Sequence, residues 1–359
     1  MKTDAAERSV ILIPSLEPDE RLPAYIRALM EKGFSHVVVV DDGSPEKSQI
    51  IFQEIESMPG TAVLHHDVNH GKGVALKTGY RYIMEHYPDA LGVITADADG
   101  QHSVKDCLAL AEKLEGGEKA LYLGSRDFDL PNVPPKSRKG NKITSAVFKL
   151  LYGQYLPDTQ TGLRAFRTEE LPFMTDVEGE RYEYEMKVLI SCSRAGIPMI
   201  PVTIDTIYEN DNAGTHFHPI RDSWRIYKVI LGTFFKFMAN SLICVALDQI
   251  VFNLVNLAIL HNYDNQAKLV LISTICARIV SSVANFSLNR HLVFGKSGKP
   301  GKAFFRYAIL TCCIMLASAV GTWLLGKLGI SNLIGKMVID TLLYFVSYHA
   351  QSRWVFREE

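Results

Sequence analysis

The sequence predicts an α/β domain on a mainly parallel sheet, followed by an all-α membrane domain of four helices. Three observations predict it. Short β-rich apolar runs alternate with helical stretches through residue 205, polar clusters close those runs, and four long apolar stretches fill the remainder. Charge divides at the same place. Residues 1–230 carry 26 basic and 34 acidic residues, a net of −8, and residues 231–359 carry 12 and 5, a net of +7. A charge-rich acidic half joined to a sparse, basic, apolar half reads as a soluble domain on a membrane domain.

The elements follow in order. Val10–Ile13 reads as a strand, Leu22–Glu31 as a helix, and Val37–Val40 as a strand ending in Asp41-Asp42-Gly43-Ser44. Ile50–Ser57 is helical, Ala62–His65 a strand, and Gly73–His86 a helix. Leu91–Thr95 is the next strand and ends in Asp97-Ala98-Asp99. Continuous apolar strands separated by helices imply a parallel sheet covered on both faces. Ligands bind such sheets at the carboxyl ends of the strands, where these polar clusters lie.

The apolar stretches run over roughly 237–260, 269–289, 307–326 and 337–350, close to the ~20 residues that cross ~30 Å of hydrocarbon. Segment 290–306 holds Arg290, Lys296, Lys299, Lys302 and Arg306 with no acid. The positive-inside rule puts it in the cytosol, and four spans then place both termini and the N-terminal domain there. The polar start of the chain and the short run stopping at Pro14 argue against a signal peptide. Asp248 and Arg278 fall at similar depth in the first two spans, which predicts a mutual ion pair. Asn285–Phe294 and His349–Phe356 form a weak repeat ending in Val-Phe, which interfacial anchoring explains. The six cysteines form no CxxC and suggest neither a metal site nor a disulfide framework.

Chemistry concentrates at the strand ends. Asp97-x-Asp99, on a turn after a buried strand, offers oxygen ligands to a hard divalent cation that would neutralise a diphosphate. Asp41 and Asp42 offer either plain turn chemistry or carboxylates for a nucleoside. In Asn69-His-Gly71-Lys72-Gly73, glycines and a helix N-terminus favour phosphate. The segment Thr215–Lys228, with Arg221, Arg225 and Lys228 at helical spacing, is either juxtamembrane charge or a lid reaching a phosphate.

Taken together, Pro14…Glu17, Asp41-Asp42-Gly-Ser, Asn69-x-Gly-Lys-Gly and Asp97-x-Asp99-x-Gln101 resemble glycosyltransferase family 2 with its GT-A fold. Gly124-Ser125-Arg126 and Asp158-Thr-Gln160-Thr-Gly162-Leu-Arg164-Ala-Phe166 extend the likeness to the polyprenyl-phosphate sugar transferases over about residues 8–228. Residues 231–357 resemble the GtrA-type membrane domain. The resemblance implies a cytosolic domain over 1–214, an interfacial segment over 215–236 and four membrane helices over 237–359. It implies transfer of a hexose, with inversion, from a UDP- or GDP-sugar to undecaprenyl or dolichyl phosphate.

Pro14, Glu17, Asp41, Asp42, Gly71, Lys72, Asp97 and Gln160 would bind the nucleotide sugar, and Asp97, Asp99 and Gln101 would hold Mg²⁺ or Mn²⁺. Ser125, Arg126, Arg138 and Arg221 would face the acceptor phosphate, with Asp99, Arg126, Arg138 and Arg164 carrying catalysis. Leu16 stands where the family has asparagine. A lipid phosphate is already an anion and needs no general base, whereas a sugar hydroxyl does. The bilayer is a partner, nucleic acid is not expected, and a homo-oligomer is compatible. A processive polysaccharide synthase is the second reading, on the loose likeness of Gln351-Ser-Arg353-Trp354 to Gln-x-x-Arg-Trp, and a non-catalytic flippase or scaffold the third.

Overall fold

The computed structural model describes residues 4–131, 133–205, 219–259, 266–294 and 299–356. It divides into two compact units, Met1–Ile230 and Leu231–Glu359.

In the first unit, α1 (Asp4–Glu7) leads into β1 (Ser9–Ser15), α2 (Arg21–Glu31), β2 (His36–Asp41), α3 (Gln49–Glu56) and β3 (Thr61–His65). Then come α4 (Lys72–His86), β4 (Gly92–Thr95), α5 (Val104–Glu115), β5 (Leu121–Arg126) and α6 (Pro135–Tyr152). The unit continues through β6 (Arg164–Arg167), α7 (Leu171–Asp176), α8 (Glu183–Ala195) and β7 (Met199–Ile204). The seven strands lie in the order β3-β2-β1-β4-β6-β5-β7. All pairs are parallel except those of β6, which runs antiparallel to β4 and β5. The expected mainly parallel sheet is therefore present, with one reversed strand supplied by the Asp158–Phe166 motif.

Val10–Ile13 and Val37–Val40 are fully buried, as strands covered on both faces must be. The register pairs Ser15 with Asp41, so β1 and β2 end together, and Leu12 with Thr95, so β4 ends three residues before β1. The chain goes from β1 outward to β2 and β3, then crosses back to β4 on the other side of β1. This reversal opens a crevice at the carboxyl ends of β1 and β4, the place where open α/β sheets bind ligands. Gly79 of α4 faces Leu12 so closely that a Cβ there would collide with the leucine side chain.

The second unit holds the C-terminal part of α9 (Pro219–Ile259), then α10 (Gln266–Leu288), α11 (Pro300–Lys327) and α12 (Asn332–Ala350). α10 and α12 each run into a π-turn, Asn289–Val293 and Gln351–Val355. The helices extend beyond the apolar stretches read in the sequence. Among the described residues, three are long and apolar enough to cross a membrane, over Tyr227–Ala258, Lys268–Val293 and Pro300–Lys327. α12 is not among them and carries a Lys336–Asp340 ion pair at 3.0 Å. The ion pair expected in the first two spans forms: Arg278 Nε lies 3.7 Å from Asp248 Oδ1, which also accepts from Ser281 Oγ at 2.9 Å.

Close helix–strand approach at Gly79 leaves no room for a side chain. Gly79→Ala should lower stability by about 1–3 kcal/mol through overpacking, read as a shift in the denaturant midpoint of the purified protein. An unchanged midpoint would mean that Leu12 repacks freely.

Candidate active site

The carboxyl end of β2 is held by two neighbouring acids with separate tasks. Asp41 is buried and accepts from Ser44 N–H at 2.8 Å, Gln49 Nε2 at 3.1 Å and His65 Nδ1 at 2.9 Å. Burial alone would push its pKa up, but the bonds from Ser44, His65 and Gln49 outweigh that and hold it below the usual range. Asp42 Oδ1 accepts from His70 N–H at 3.0 Å and His66 Nδ1 at 2.8 Å, and its Oδ2 from Gly71 N–H at 2.7 Å. The amides expected to face a phosphate at the start of α4 therefore point, at residues 70 and 71, to Asp42. Gly71, at φ +104°, sits against Arg181 and Glu180 where a Cβ has no space.

One turn on, Lys72 Nζ lies between Asp97 Oδ1 at 2.7 Å and Glu185 Oε1 at 3.1 Å. Burial would pull the lysine down, but the two carboxylates outweigh it and raise its pKa above the ordinary range. Asp97 Oδ2 pairs with His102 Nε2 at 3.1 Å. Burial would raise Asp97, yet Lys72 and His102 hold it far below the usual carboxylate range. Asp99 is raised, first by burial and then by the charge of Asp97, while it accepts Gln101 N–H at 3.1 Å. Gly162 fits because a Cβ there would collide with the Asp97 carboxylate. Arg164 is buried and braces this floor, donating from Nε to Thr161 O at 3.0 Å and from Nη1 to Glu185 O at 2.8 Å.

A third group forms at the end of β5. Arg126 donates from Nε to Asp158 Oδ2 at 2.7 Å and from Nη2 to Asp158 Oδ1 at 3.3 Å. Asp158 is buried and also accepts Gln160 N–H at 2.9 Å, whereas the Gln160 side chain is exposed. The Ser125 hydroxyl is buried with no hydrogen-bond partner among the described residues. Arg138 is turned to the loop after β5, donating to Phe128 O at 2.8 Å and Leu130 O at 2.7 Å. Pro14 is half-buried at the end of β1. Glu17, at φ +50°, donates its N–H to Ser44 Oγ at 2.9 Å and pairs with Lys47 at 3.0 Å. Glu17, Pro18, Arg21, Lys47 and Ile51 border an open cleft of ≈ 610 Å³. The side chain of Arg221 lies outside the described residues, as does most of the segment around it.

The donor set suits a hard divalent cation. Among the described residues no three His, Cys, Asp or Glu side chains converge into a cage. Asp97, whose oxygens are bonded to Lys72 and His102, and Asp99 instead offer a partial set of oxygen donors that substrate phosphates would complete around a cation. Burial, and after it the charge of Asp97, raises Asp99, and a cation would offset both.

Asp41, Asp42, Asp97 and Asp99 follow the ends of β2 and β4, and Lys72 at the start of α4 is bonded to Asp97. Sequence spacing did not assign roles to His65, His66 or His102, which partner the acids. His102 follows Asp99-Gly-Gln directly, so its place beside the acids was the available signal. Glu185 reaches Lys72 from α8, a contact that no local pattern announces.

Comparison with known proteins adds two matches. Residues 10–172 match the family model for glycosyl transferase family 2, and residues 236–356 that for the GtrA/DPMS transmembrane domain. The chain is similar to an uncharacterised protein of Methanocaldococcus jannaschii, 31% identical over 63% of this chain and 92% of that one. It is also similar to a UDP-N-acetylglucosamine–dolichyl-phosphate N-acetylglucosaminyltransferase of Methanococcus voltae, 27% identical over 55% and 85% of the two chains. An undecaprenyl-phosphate mannosyltransferase of Micrococcus luteus is 28% identical over 55% and 82%.

The His65–Asp41 contact makes stability depend on pH. Burial would lower His65, but Asp41 and Glu56 raise it. A raised folded pKa means a contribution complete below about pH 6.5 and lost as pH rises through the folded value. Asp41 is lowered, so its contribution is kept above its unfolded pKa of about 3.9 and lost as pH falls. His65→Gln should remove a decline in stability above about pH 6.5, measured by denaturation across pH. An identical alkaline slope in wild type and variant would refute this.

Proposed function

The chain belongs to glycosyltransferase family 2, and from that premise we propose that it moves one hexose from a UDP- or GDP-sugar to a polyprenyl phosphate. The observation that carries this reading is the pairing, on one chain, of a glycosyl transferase family 2 match whose sheet carries acids at its strand ends with a GtrA/DPMS membrane domain. The relatives named for transfer to dolichyl phosphate and undecaprenyl phosphate support it.

In this reading the nucleoside lies over the ends of β1 and β2, against Pro14, Glu17 and Asp41. Asp42 shapes the turn before Lys72, and Lys72, fixed between Asp97 and Glu185, is the positive group nearest the acids. Asp97, Asp99 and Gln101 would hold Mg²⁺ or Mn²⁺. Such a cation, when bound, supplies positive charge against the leaving diphosphate. Arg126, oriented by Asp158, and the unpartnered Ser125 hydroxyl face the acceptor phosphate. An arginine fork positions phosphate oxygens. The acceptor oxygen attacks the anomeric carbon as the bond to the diphosphate breaks, inverting the centre, and needs no proton removed. Arg164 and Arg138 act through the backbone they brace. The chemistry is proposed for the cytosolic face, on the charge of 290–306.

An assay with undecaprenyl phosphate, divalent cation and a panel of UDP- and GDP-sugars should give a polyprenyl-phosphate hexose, identified by mass spectrometry. Asp99→Asn should cut turnover by orders of magnitude, and EDTA should do so reversibly. Arg126→Lys keeps the charge but loses the fork. It should weaken dependence on lipid phosphate about ten- to a hundredfold, as expected for ~1.5–3 kcal/mol. Transfer to a soluble sugar at equal rate, or full activity of Asp99→Asn in EDTA, would overturn the reading.

The membrane face has its own check. A cysteine at Ser297, which lies outside the described residues, should react with an impermeant reagent only after cells are opened. Labelling of intact cells would reverse the orientation.

A further inference from the structure

The sequence repeat is a repeat in three dimensions. Each copy is a π-turn closed by a phenylalanine N–H: Phe294 donates to Asn289 O at 2.9 Å, and Phe356 to Gln351 O at 3.0 Å. In each, the opening amide donates four residues back, Asn289 to Asn285 Oδ1 at 3.0 Å and Gln351 to Ser347 Oγ at 3.0 Å. The two openings meet, with Asn289 Nδ2 donating to Gln351 Oε1 at 2.9 Å.

Aromatic contacts repeat as well. Phe234 meets Tyr348 at 5.6 Å and 79°, as Phe304 meets Phe286 at 5.1 Å and 85°. Phe237 meets Tyr348 at 5.3 Å, as Tyr307 meets Phe286 at 5.5 Å. Phe294 meets Tyr348 at 5.8 Å, as Phe356 meets Phe286 at 5.7 Å, and Phe294 and Phe356 stack on each other at 5.3 Å. α9–α10 and α11–α12 are thus two copies of one hairpin. An approximate two-fold passes through the Asn289–Gln351 and Phe294–Phe356 pairs.

The copies part company in charge. Arg290-His291 stands where the second copy has Ser352-Arg353. Arg290 is only 9% exposed and lies within the span Lys268–Val293. With Phe286, Ser287, His291 and Pro300 it lines a pocket of ≈ 270 Å³ that has no acid among the described residues of its wall. Pro300 opens the 28-residue α11, so the positive end of that helix borders the pocket. Arg290 sits at the end of the span Lys268–Val293, where the basic segment 290–306 begins, yet its side chain is withdrawn from water, which is costly for a charge. An arginine keeps its charge when buried, and its fork matches phosphate oxygens. Aromatic and proline walls at the end of a membrane helix suit a headgroup whose tail continues into lipid. We infer that this pocket binds the phosphate headgroup of one membrane lipid per chain. The second copy, lacking the buried arginine, binds none. Occupancy by the acceptor itself rests on the proposed reaction, and a bilayer phospholipid carries the same phosphate chemistry.

Native mass spectrometry of the full-length protein in detergent, without nucleotide sugar, tests this. Undecaprenyl phosphate and phosphatidylglycerol are supplied in separate arms. Wild type should retain one lipid per chain, and Arg290→Gln should lower retention at least tenfold. Ser287→Trp leaves the arginine and fills the pocket, so it should do the same even if Arg290→Gln folds poorly. Arg353→Gln should retain lipid as wild type does. Loss confined to undecaprenyl phosphate assigns the pocket to the acceptor, and loss confined to phosphatidylglycerol assigns it to a bilayer lipid. Unchanged retention of both lipids in both pocket variants overturns the site. Lipid retained by a wild-type protein that transfers no sugar would sink the proposed reaction and leave the pocket standing.

Discussion

The arrangement of the catalytic unit depends on how negative charge is kept at the ends of its parallel strands. Carboxylates taken out of water are costly unless paired and hydrogen-bonded. Asp41 takes a turn amide, Gln49 and His65. Asp42 takes two amides and His66, Asp97 takes Lys72 and His102, and Asp158 takes Arg126. Each pairing fixes a piece of backbone: the turn after β2, the start of α4, the turn after β4 and the loop before β6. The crevice is ordered because its acids are satisfied. Asp99 differs, accepting one backbone amide beside the charge of Asp97, and its raised pKa marks where further positive charge is favourable.

The strands and the acids at their ends were readable because both signals are local. A four-residue valine run reads as a strand buried on both faces, and Asp-x-Asp after the apolar run Leu91–Thr95 reads as lying at a strand end. The acids that hold the cations Lys72 and Arg126 from elsewhere in the chain were not readable. Glu185 comes from α8 and Asp158 from the approach to β6, and only the tertiary fold brings either to its partner. The sequence reading gave Arg138 and Arg164 to the reaction. Their guanidinium groups are bonded to the carbonyls of Phe128 and Leu130 and of Thr161 and Glu185. A motif arginine that braces backbone has the same local sequence as one that grips a ligand, so spacing could not separate the two.

In the membrane unit the legible signal was the Val-Phe repeat, and its meaning was not. Interfacial anchoring explains a basic residue and aromatics at the end of a span, but not the matched ring contacts. Nor does it explain why Gln351 is buried under Asn289. That contact also bears on the processive-synthase reading, since a glutamine committed to the helix interface is a poor candidate for contacting a glycan. The amides Asn240, Asn285, Asn289 and Gln351 draw helices from both hairpins together through hydrogen bonds, the adhesive that remains when lipid removes the hydrophobic drive between helices.

The state of the acids also constrains the acceptor. A hydroxyl nucleophile needs a base with a lone pair directed at it and a pKa near neutrality. Asp97 is held far below that range, and its oxygens are already bonded to Lys72 and His102. Asp41 is likewise lowered and surrounded by donors. Asp99 is raised, but it is one of the residues proposed to hold a cation, and a carboxylate that binds a cation loses its basicity. Such a crevice is better matched to a nucleophile that arrives ionised. A phosphate monoester does so at neutral pH, and its demand is for cations that orient it. Arg126, clamped by a buried carboxylate, is the guanidinium proposed for that task. The membrane domain on the same chain fits the proposal that this acceptor is a lipid.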